Sequence, residues 1–93
     1  MTTEYFIVLE GGYTVPQPLY ERIKHEILDI LHVLIPGAEY TAEMLCGPEL
    51  WGSLEKDEHS LAGRCVADMV RKGVLPLWFV GCEHQHPKRY ALI

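Results

Sequence analysis

The chain has 93 residues, of which 48% are hydrophobic and 23% charged, as expected for one small globular domain with a single core. Thirteen acidic residues against eight basic ones give a formal net charge of −5. Because neutralising phosphates supplies much of the affinity of DNA-binding proteins, this acidic balance shifts the expectation from DNA towards a protein partner. We expect a single domain over residues 1–93.

The sequence also predicts a compartment. No apolar run approaches the roughly 20 residues that a membrane span needs. The apolar run YFIVL is too short for a secretory signal, and acidic Glu4 precedes it where a basic residue belongs. Cys46, Cys65 and Cys82 are widely spaced and odd in number, which argues against a disulfide framework. We therefore expect a cytoplasmic protein with no membrane partner.

The N-terminal third predicts a strand, a turn and a helix. EYFIVL is rich in β-branched and aromatic residues, and Gly11-Gly12 suits a tight turn. The segment forms either a small hairpin or one strand leading into the helix. That helix begins near Pro18 and ends at Pro36-Gly37. Its apolar stripe recurs at spacings of three and four residues and comprises Tyr20, Ile23, Ile27, Ile30, Leu31 and Leu34.

The middle of the chain predicts two short helical segments. Residues 38–40 suit a brief extended pairing, and Thr41 is a good N-cap for a helix over residues 42–46. Gly47 ends that helix, and Pro48 can open a second turn over PELWGSL.

A long helix is predicted over residues 57–72, with Asp57 as N-cap and Gly73 as its stop. Its buried face comprises Leu61, Ala62, Cys65, Val66, Met69 and Val70. Its outer face comprises Ser60, Gly63, Arg64, Ala67, Asp68 and Arg71. Two strands follow, VLPLWFV and KRYALI, and Pro76 implies that the first starts late or lies at an edge. Trp78 and Phe79 are adjacent on that strand and must point to opposite faces.

The order of helix, short helix, long helix and hairpin is that of a winged helix-turn-helix domain, which the chain resembles from Thr41 to its end. The segments CGPELWGSL, LAGRCVADMVRKGVLPL and KRYAL also resemble small uncharacterised proteins of proteobacterial phages and prophages. The resemblance implies an α+β fold with three main helices, a C-terminal β-hairpin wing and an extra N-terminal strand or hairpin. Another α+β domain with the same element order is the alternative.

The resemblance implies a DNA-binding or regulatory role, with the long helix in the major groove of double-stranded DNA. Arg64 and Arg71 would meet guanine edges or phosphates, and Lys88 and Arg89 would grip the backbone. The full candidate set is Ser60, Arg64, Arg71, Lys72, Lys88 and Arg89. Alternatively, this is a solvated helix face on which Arg64 pairs with Asp68 one turn later.

A second hypothesis is a winged-helix adaptor or homodimer that binds protein without DNA. The acidic run EKDEH precedes the long helix, where it would repel phosphate, and an exposed aromatic residue would supply contact area. Separately, a two-stranded wing leaves free edges, which EYFIVL could cover in the same chain or in a partner.

Metal binding and catalysis are the less favoured interpretations. Cys82, His84 and His86 alternate, so an extended chain would point all three to one side, with Cys46, Cys65 or His59 as a fourth zinc ligand. No CxxC pair accompanies them, so an ordinary wing loop is preferred. Gly11-Gly12 is a turn and not a phosphate cradle. We expect no enzyme activity and no cofactor.

Overall fold

The protein has an α+β fold with two small antiparallel sheets. A computed structural model describes residues 5–81 and 87–93. In chain order the elements are β1 (Phe6–Val8), β2 (Thr14–Pro16), α1 (Gln17–Ile30), a 3₁₀ turn (Leu31–Val33), α2 (Ala42–Ser53), α3 (Lys56–Arg71), β3 (Leu77–Val80) and β4 (Arg89–Leu92). The predicted class is therefore confirmed, as are the three helices and the C-terminal hairpin.

The N-terminal segment forms a hairpin of its own. β1 pairs with β2, and Ile7 lies opposite Val15. The turn between them needs Gly11 and Gly12, whose φ angles of +89° and +86° are ones that other residues rarely adopt. Leu9 and Val15 are buried in the core, which fixes the hairpin against the helices. Among the described residues the two hairpins are separate sheets, so the hypothesis that this strand covers an edge of the C-terminal hairpin in the same chain is wrong.

Helix α1 buries most of the predicted stripe but is shorter than predicted, and Ile30 and Leu31 are only partly buried. Tyr20, Ile23 and Ile27 are buried. The α-helix ends at Ile30, and the 3₁₀ turn continues the chain so that Leu34 still reaches the core. The apolar periodicity thus extends beyond the regular helix.

Helix α2 is two short helices joined at a kink, as predicted. Gly47 has φ +82° and ψ 161°, which is not helical, and Pro48 follows with no N–H to donate. At the start, the Thr41 hydroxyl accepts a hydrogen bond from the Met44 backbone N–H at 3.3 Å. The kink lets both halves bury apolar side chains, namely Leu45, Cys46 and Leu50.

Helix α3 begins earlier than predicted. Its N-cap is Glu55, whose backbone N–H donates to the Glu58 carboxylate at 2.8 Å, and Asp57 lies in the first turn instead of capping it. The spacing of Glu55 and Glu58 is that of a capping box, which satisfies backbone groups that Asp57 cannot reach. The helix ends before Gly73, as expected.

The C-terminal hairpin packs on α3 and gains a short third partner. Tyr40 and Tyr90 exchange two backbone hydrogen bonds, of 2.8 and 2.7 Å, which confirms the brief pairing predicted before α2. β3 starts only after Pro76, as predicted. Trp78 is 52% exposed whereas Phe79 packs against the core, so the two rings do lie on opposite faces.

Candidate functional site

A groove of about 530 Å³ lies over the outer face of α3. The N-terminal hairpin forms one wall, the start of α2 another and the beginning of β4 with Pro87 and Lys88 a third. We call this feature the α3 groove. Its existence could not be predicted from sequence, because the walls come from segments far apart in the chain.

Two small residues of α3 lie in the lining of the groove. Gly63 and Ala67 are four residues apart and therefore lie on one line along the helix. A Cβ at Gly63 would meet nothing within 4 Å. The floor of the groove is thus open space above the helix backbone.

Asp68 is buried, which corrects its predicted place on the outer face. Its side chain reaches three parts of the fold although the residue is only 1% exposed. One carboxylate oxygen accepts a hydrogen bond from the Glu10 backbone N–H at 3.2 Å. The other accepts one from the Tyr20 hydroxyl at 3.1 Å and lies 3.0 Å from Lys72 Nζ. Ala67, also predicted on the outer face, is buried as well.

The contact with Asp68 also changes the chemistry of Tyr20. Burial, followed by the hydrogen bond to the Asp68 carboxylate and its negative charge, raises the pKa of the Tyr20 phenol from 10.0 to about 12. The phenol therefore remains a hydrogen-bond donor throughout the neutral range.

Replacing Tyr20 with Phe should flatten the alkaline limb of the stability curve. Because the folded pKa lies above the unfolded value of 10.0, this group's contribution is complete below pH 10 and is lost as the pH rises towards about 12. We expect Tyr20→Phe to lose about 1 kcal/mol at neutral pH and to depend less on pH above 10. Urea unfolding at neutral and alkaline pH measures both effects, and an unchanged alkaline slope would contradict this account.

The N-terminal hairpin contacts both arginines of α3, and Arg71 also lies against Phe79 of β3, with its guanidinium carbon 5.1 Å from the ring centroid. The Arg64 guanidinium carbon lies 3.9 Å from the centroid of the Tyr13 ring. Arg71 Nε lies 3.6 Å from a carboxylate oxygen of Glu10. The pair predicted between Arg64 and Asp68 is wrong, because Asp68 turns inward and pairs with Lys72 instead.

Four of the six predicted DNA contacts line the groove, namely Ser60, Arg64, Arg71 and Lys88. The other two are absent from its lining. Lys72 pairs with Asp68, and Arg89 lies 3.5 Å from a carboxylate oxygen of Glu39. Both of these cations are therefore paired with carboxylates outside the described lining of the groove.

Aromatic residues complete the site, and sequence reasoning missed their role. The rings of Trp51 and His59 stack with centroids 4.3 Å apart and planes 8° apart. His59 Nε2 lies 2.9 Å from the Trp51 carbonyl oxygen, which fixes the pair across the α2–α3 junction. Tyr13 and Tyr90 also line the groove. No sequence spacing indicates these contacts, since they join different elements.

The predicted metal ligands Cys82, His84 and His86 lie outside the described residues. Within residues 5–81 and 87–93, no group of three or more potential ligands is arranged to hold a metal ion. Burial raises the pKa of the Cys46 thiol to about 11 and that of Cys65 to about 12. At neutral pH both are protonated and pack as small apolar side chains.

Comparison of the chain with protein-family models, curated proteins and solved structures finds no match. Among the described helices, none is both long and apolar enough to span a membrane. The residues that line the α3 groove are therefore the basis for inferring a function.

Proposed function

We propose that the protein is a small winged-helix module that binds an acidic segment of a protein partner in the α3 groove. The observation that carries this proposal is the convergence of Arg64, Arg71 and Lys88 on one concave site in an otherwise acidic chain. Concave sites with a few convergent polar groups are the usual form of binding sites in proteins.

The winged-helix assignment is supported by topology. Three helices precede a β-hairpin, and Tyr40, between α1 and α2, pairs with the second strand of that hairpin. In this proposal the C-terminal hairpin is the wing, and the N-terminal hairpin is an additional element that forms one wall of the groove. The proposal includes a cytoplasmic location and a non-catalytic role, and the free, buried thiols of Cys46 and Cys65 are consistent with a reducing compartment.

The local charge favours a carboxylate-bearing partner. Among the described residues that line the groove, Arg64, Arg71 and Lys88 oppose the two exposed carboxylates of Glu10 and Glu43. The third carboxylate, Asp68, is buried against Lys72. The described lining thus carries as many cations as carboxylates and is less acidic than the whole chain, whose net charge is −5. Such complementarity gives an interface its specificity and speeds encounter.

The size and lining of the groove favour a short segment over a flat surface. Its volume of about 530 Å³ accommodates a few side chains. Tyr13 and the stacked Trp51–His59 pair offer aromatic surface beside the cations. We therefore expect the bound segment to combine acidic residues with an aliphatic or aromatic one.

Duplex DNA is the second candidate, favoured by the same convergence of Arg64, Arg71 and Lys88. A reading helix must enter a major groove about 12 Å wide, so it has to protrude from the protein. Here the outer face of α3 is the floor of a groove, and the hairpin residues Glu10 and Tyr13 stand at its wall. DNA binding would require that wall to move.

Binding of two fluorescent probes separates these candidates. One is a peptide that alternates glutamate with leucine and phenylalanine, and the other is a short mixed-sequence DNA duplex. We expect the wild type to bind the peptide with a Kd in the micromolar range, about −8 kcal/mol, and the duplex more weakly. Fluorescence anisotropy at low and moderate salt measures both.

Matched variants locate the binding site. Arg64→Gln combined with Arg71→Gln should weaken peptide binding about tenfold, or about 1.4 kcal/mol. The control is Arg22→Gln combined with Lys24→Gln on α1, which removes the same charge outside the groove lining. Equal losses in both double variants would contradict the groove as the site. Tight duplex binding with no peptide binding would replace the first candidate by the second.

A further inference from the structure

The turn of the N-terminal hairpin contributes one side chain to each arginine of the groove. Tyr13 lies against Arg64 and Glu10 against Arg71. Both side chains are substantially exposed, at 49% for Tyr13 and 65% for Glu10. They are therefore not core residues, and their contacts with the arginines call for an explanation beyond packing.

The two contacts have opposite consequences for an anion in the groove. The Tyr13 ring holds the Arg64 guanidinium by a cation–π contact, which orders the side chain without neutralising its charge. The Glu10 carboxylate, 3.6 Å from Arg71 Nε, offsets part of the positive charge that an incoming carboxylate would use. One residue thus prepares a cation for binding, while the other competes with the ligand.

The backbone of the turn is held independently of these side chains. The Glu10 backbone N–H donates to Asp68, and Leu9 and Val15 on either side are buried in the core. A substitution that changes only the Glu10 carboxylate or the Tyr13 ring therefore leaves the position of the turn unchanged. The two side-chain effects can be tested without dismantling the hairpin.

We propose that this turn determines the specificity of the α3 groove, with Tyr13 as a positioning residue for Arg64 and Glu10 as a built-in competitor for Arg71. The inference rests on the proposed binding of acidic segments. The groove should then distinguish peptides by their number of carboxylates. A segment with several carboxylates displaces the Glu10 carboxylate from Arg71, whereas a segment with one carboxylate gains too little binding energy to displace it.

Two substitutions in the turn should act in opposite directions on the alternating acidic peptide. We expect Glu10→Gln to tighten binding about two- to fourfold and Tyr13→Leu to weaken it by a similar factor, in keeping with exposed charge contacts. Glu26→Gln, on the exposed side of α1, removes the same charge outside the groove lining and should leave the affinity nearly unchanged. Tyr13→Phe keeps the aromatic ring and should therefore bind the peptide with the affinity of the wild type.

Specificity is measured by comparing the affinity for this peptide with the affinity for a second peptide that has a single glutamate. In Glu10→Gln the preference for the polyacidic peptide over this one should shrink, and salt of about 0.5 M should remove the difference from wild type. A purely structural turn would weaken binding in both variants and leave the preference unchanged, which would overturn the inference.

Failure of this inference differs from failure of the groove itself. If the wild type binds the polyacidic peptide through Arg64 and Arg71 but Glu10→Gln behaves like Glu26→Gln, only the role of the turn is overturned. If the wild type binds neither peptide, the groove is not a site for acidic segments and both proposals are overturned. Thermal unfolding of each variant establishes that the compared proteins are folded.

Discussion

Replacing Asp68 with Ala is expected to lower the free energy of unfolding by about 3 kcal/mol, because the change leaves a buried phenol and a backbone N–H without their acceptor. The carboxylate joins Tyr20 of α1, Glu10 of the hairpin and Lys72 at the end of α3. Its loss therefore weakens the attachment of two elements to the third helix. Urea unfolding followed by circular dichroism measures the change.

Two controls show whether the contacts or the charge are responsible. Asp29→Ala removes an exposed carboxylate from α1 and should change stability by no more than about 0.5 kcal/mol. Asp68→Asn keeps an acceptor for the Tyr20 hydroxyl but loses the charge opposite Lys72, so we expect an intermediate loss. A loss in Asp68→Ala as small as that in Asp29→Ala would contradict the buried position of this carboxylate.

Replacing Gly63 with Leu should weaken binding in the groove strongly while making the protein more stable. The position is in the middle of α3 and open above its Cα, so a side chain there meets no protein atom near its Cβ. Removing a helical glycine contributes about 0.5–1 kcal/mol to stability. The leucine side chain then fills the floor between Arg64 and the aromatic wall, and we expect more than tenfold weaker peptide binding, a loss of about 1.4 kcal/mol or more.

Gly63→Ala is the matched control for this prediction. It brings the same gain in helix stability but adds only one methyl group, so peptide binding should remain within about twofold of wild type. Anisotropy titrations and thermal unfolding of both variants provide the comparison. Undiminished binding by a folded Gly63→Leu protein would show that the groove floor is not used.

Local patterns allowed most of the fold to be predicted. The apolar stripe of α1, the Thr41 cap and the break at Gly47-Pro48 each depend on residues within a few positions of one another. The start of α3 was predicted too late because Asp57 is a good cap in isolation, whereas Glu55 and Glu58 satisfy each other's groups. The error arose because two local capping signals, Asp57 alone and the pair of Glu55 and Glu58, compete for the start of the helix.

The burial of Asp68 could not be predicted from local patterns. A helical wheel assigns α3 one buried side, and by that criterion Asp68 belongs with Arg64 on the outside. The N-terminal hairpin covers a second side, through a contact between Glu10 and Asp68 that spans 58 residues of sequence. No periodicity within α3 carries this information.

Only part of the lining of the α3 groove was among the predicted residues, and its geometry was not predicted. Ser60, Arg64, Arg71 and Lys88 were selected for their chemistry, and they do share one groove. Their partners Glu10 and Tyr13 come from an N-terminal hairpin to which the sequence assigned no part in this site. Those partners change the expected ligand, because they turn a presumed reading helix into the floor of a walled groove.

The most direct test of the central claim is a heteronuclear NMR titration of the labelled protein with the alternating acidic peptide. We expect the backbone signals of Ser60, Gly63 and Arg64 and the indole signal of Trp51 to shift together and to saturate with one Kd. Signals from the exposed face of α1, such as those of Arg22 and His25, should stay in place. Shifts confined to α1, or none at the groove, would contradict the claim that the α3 groove is the binding site.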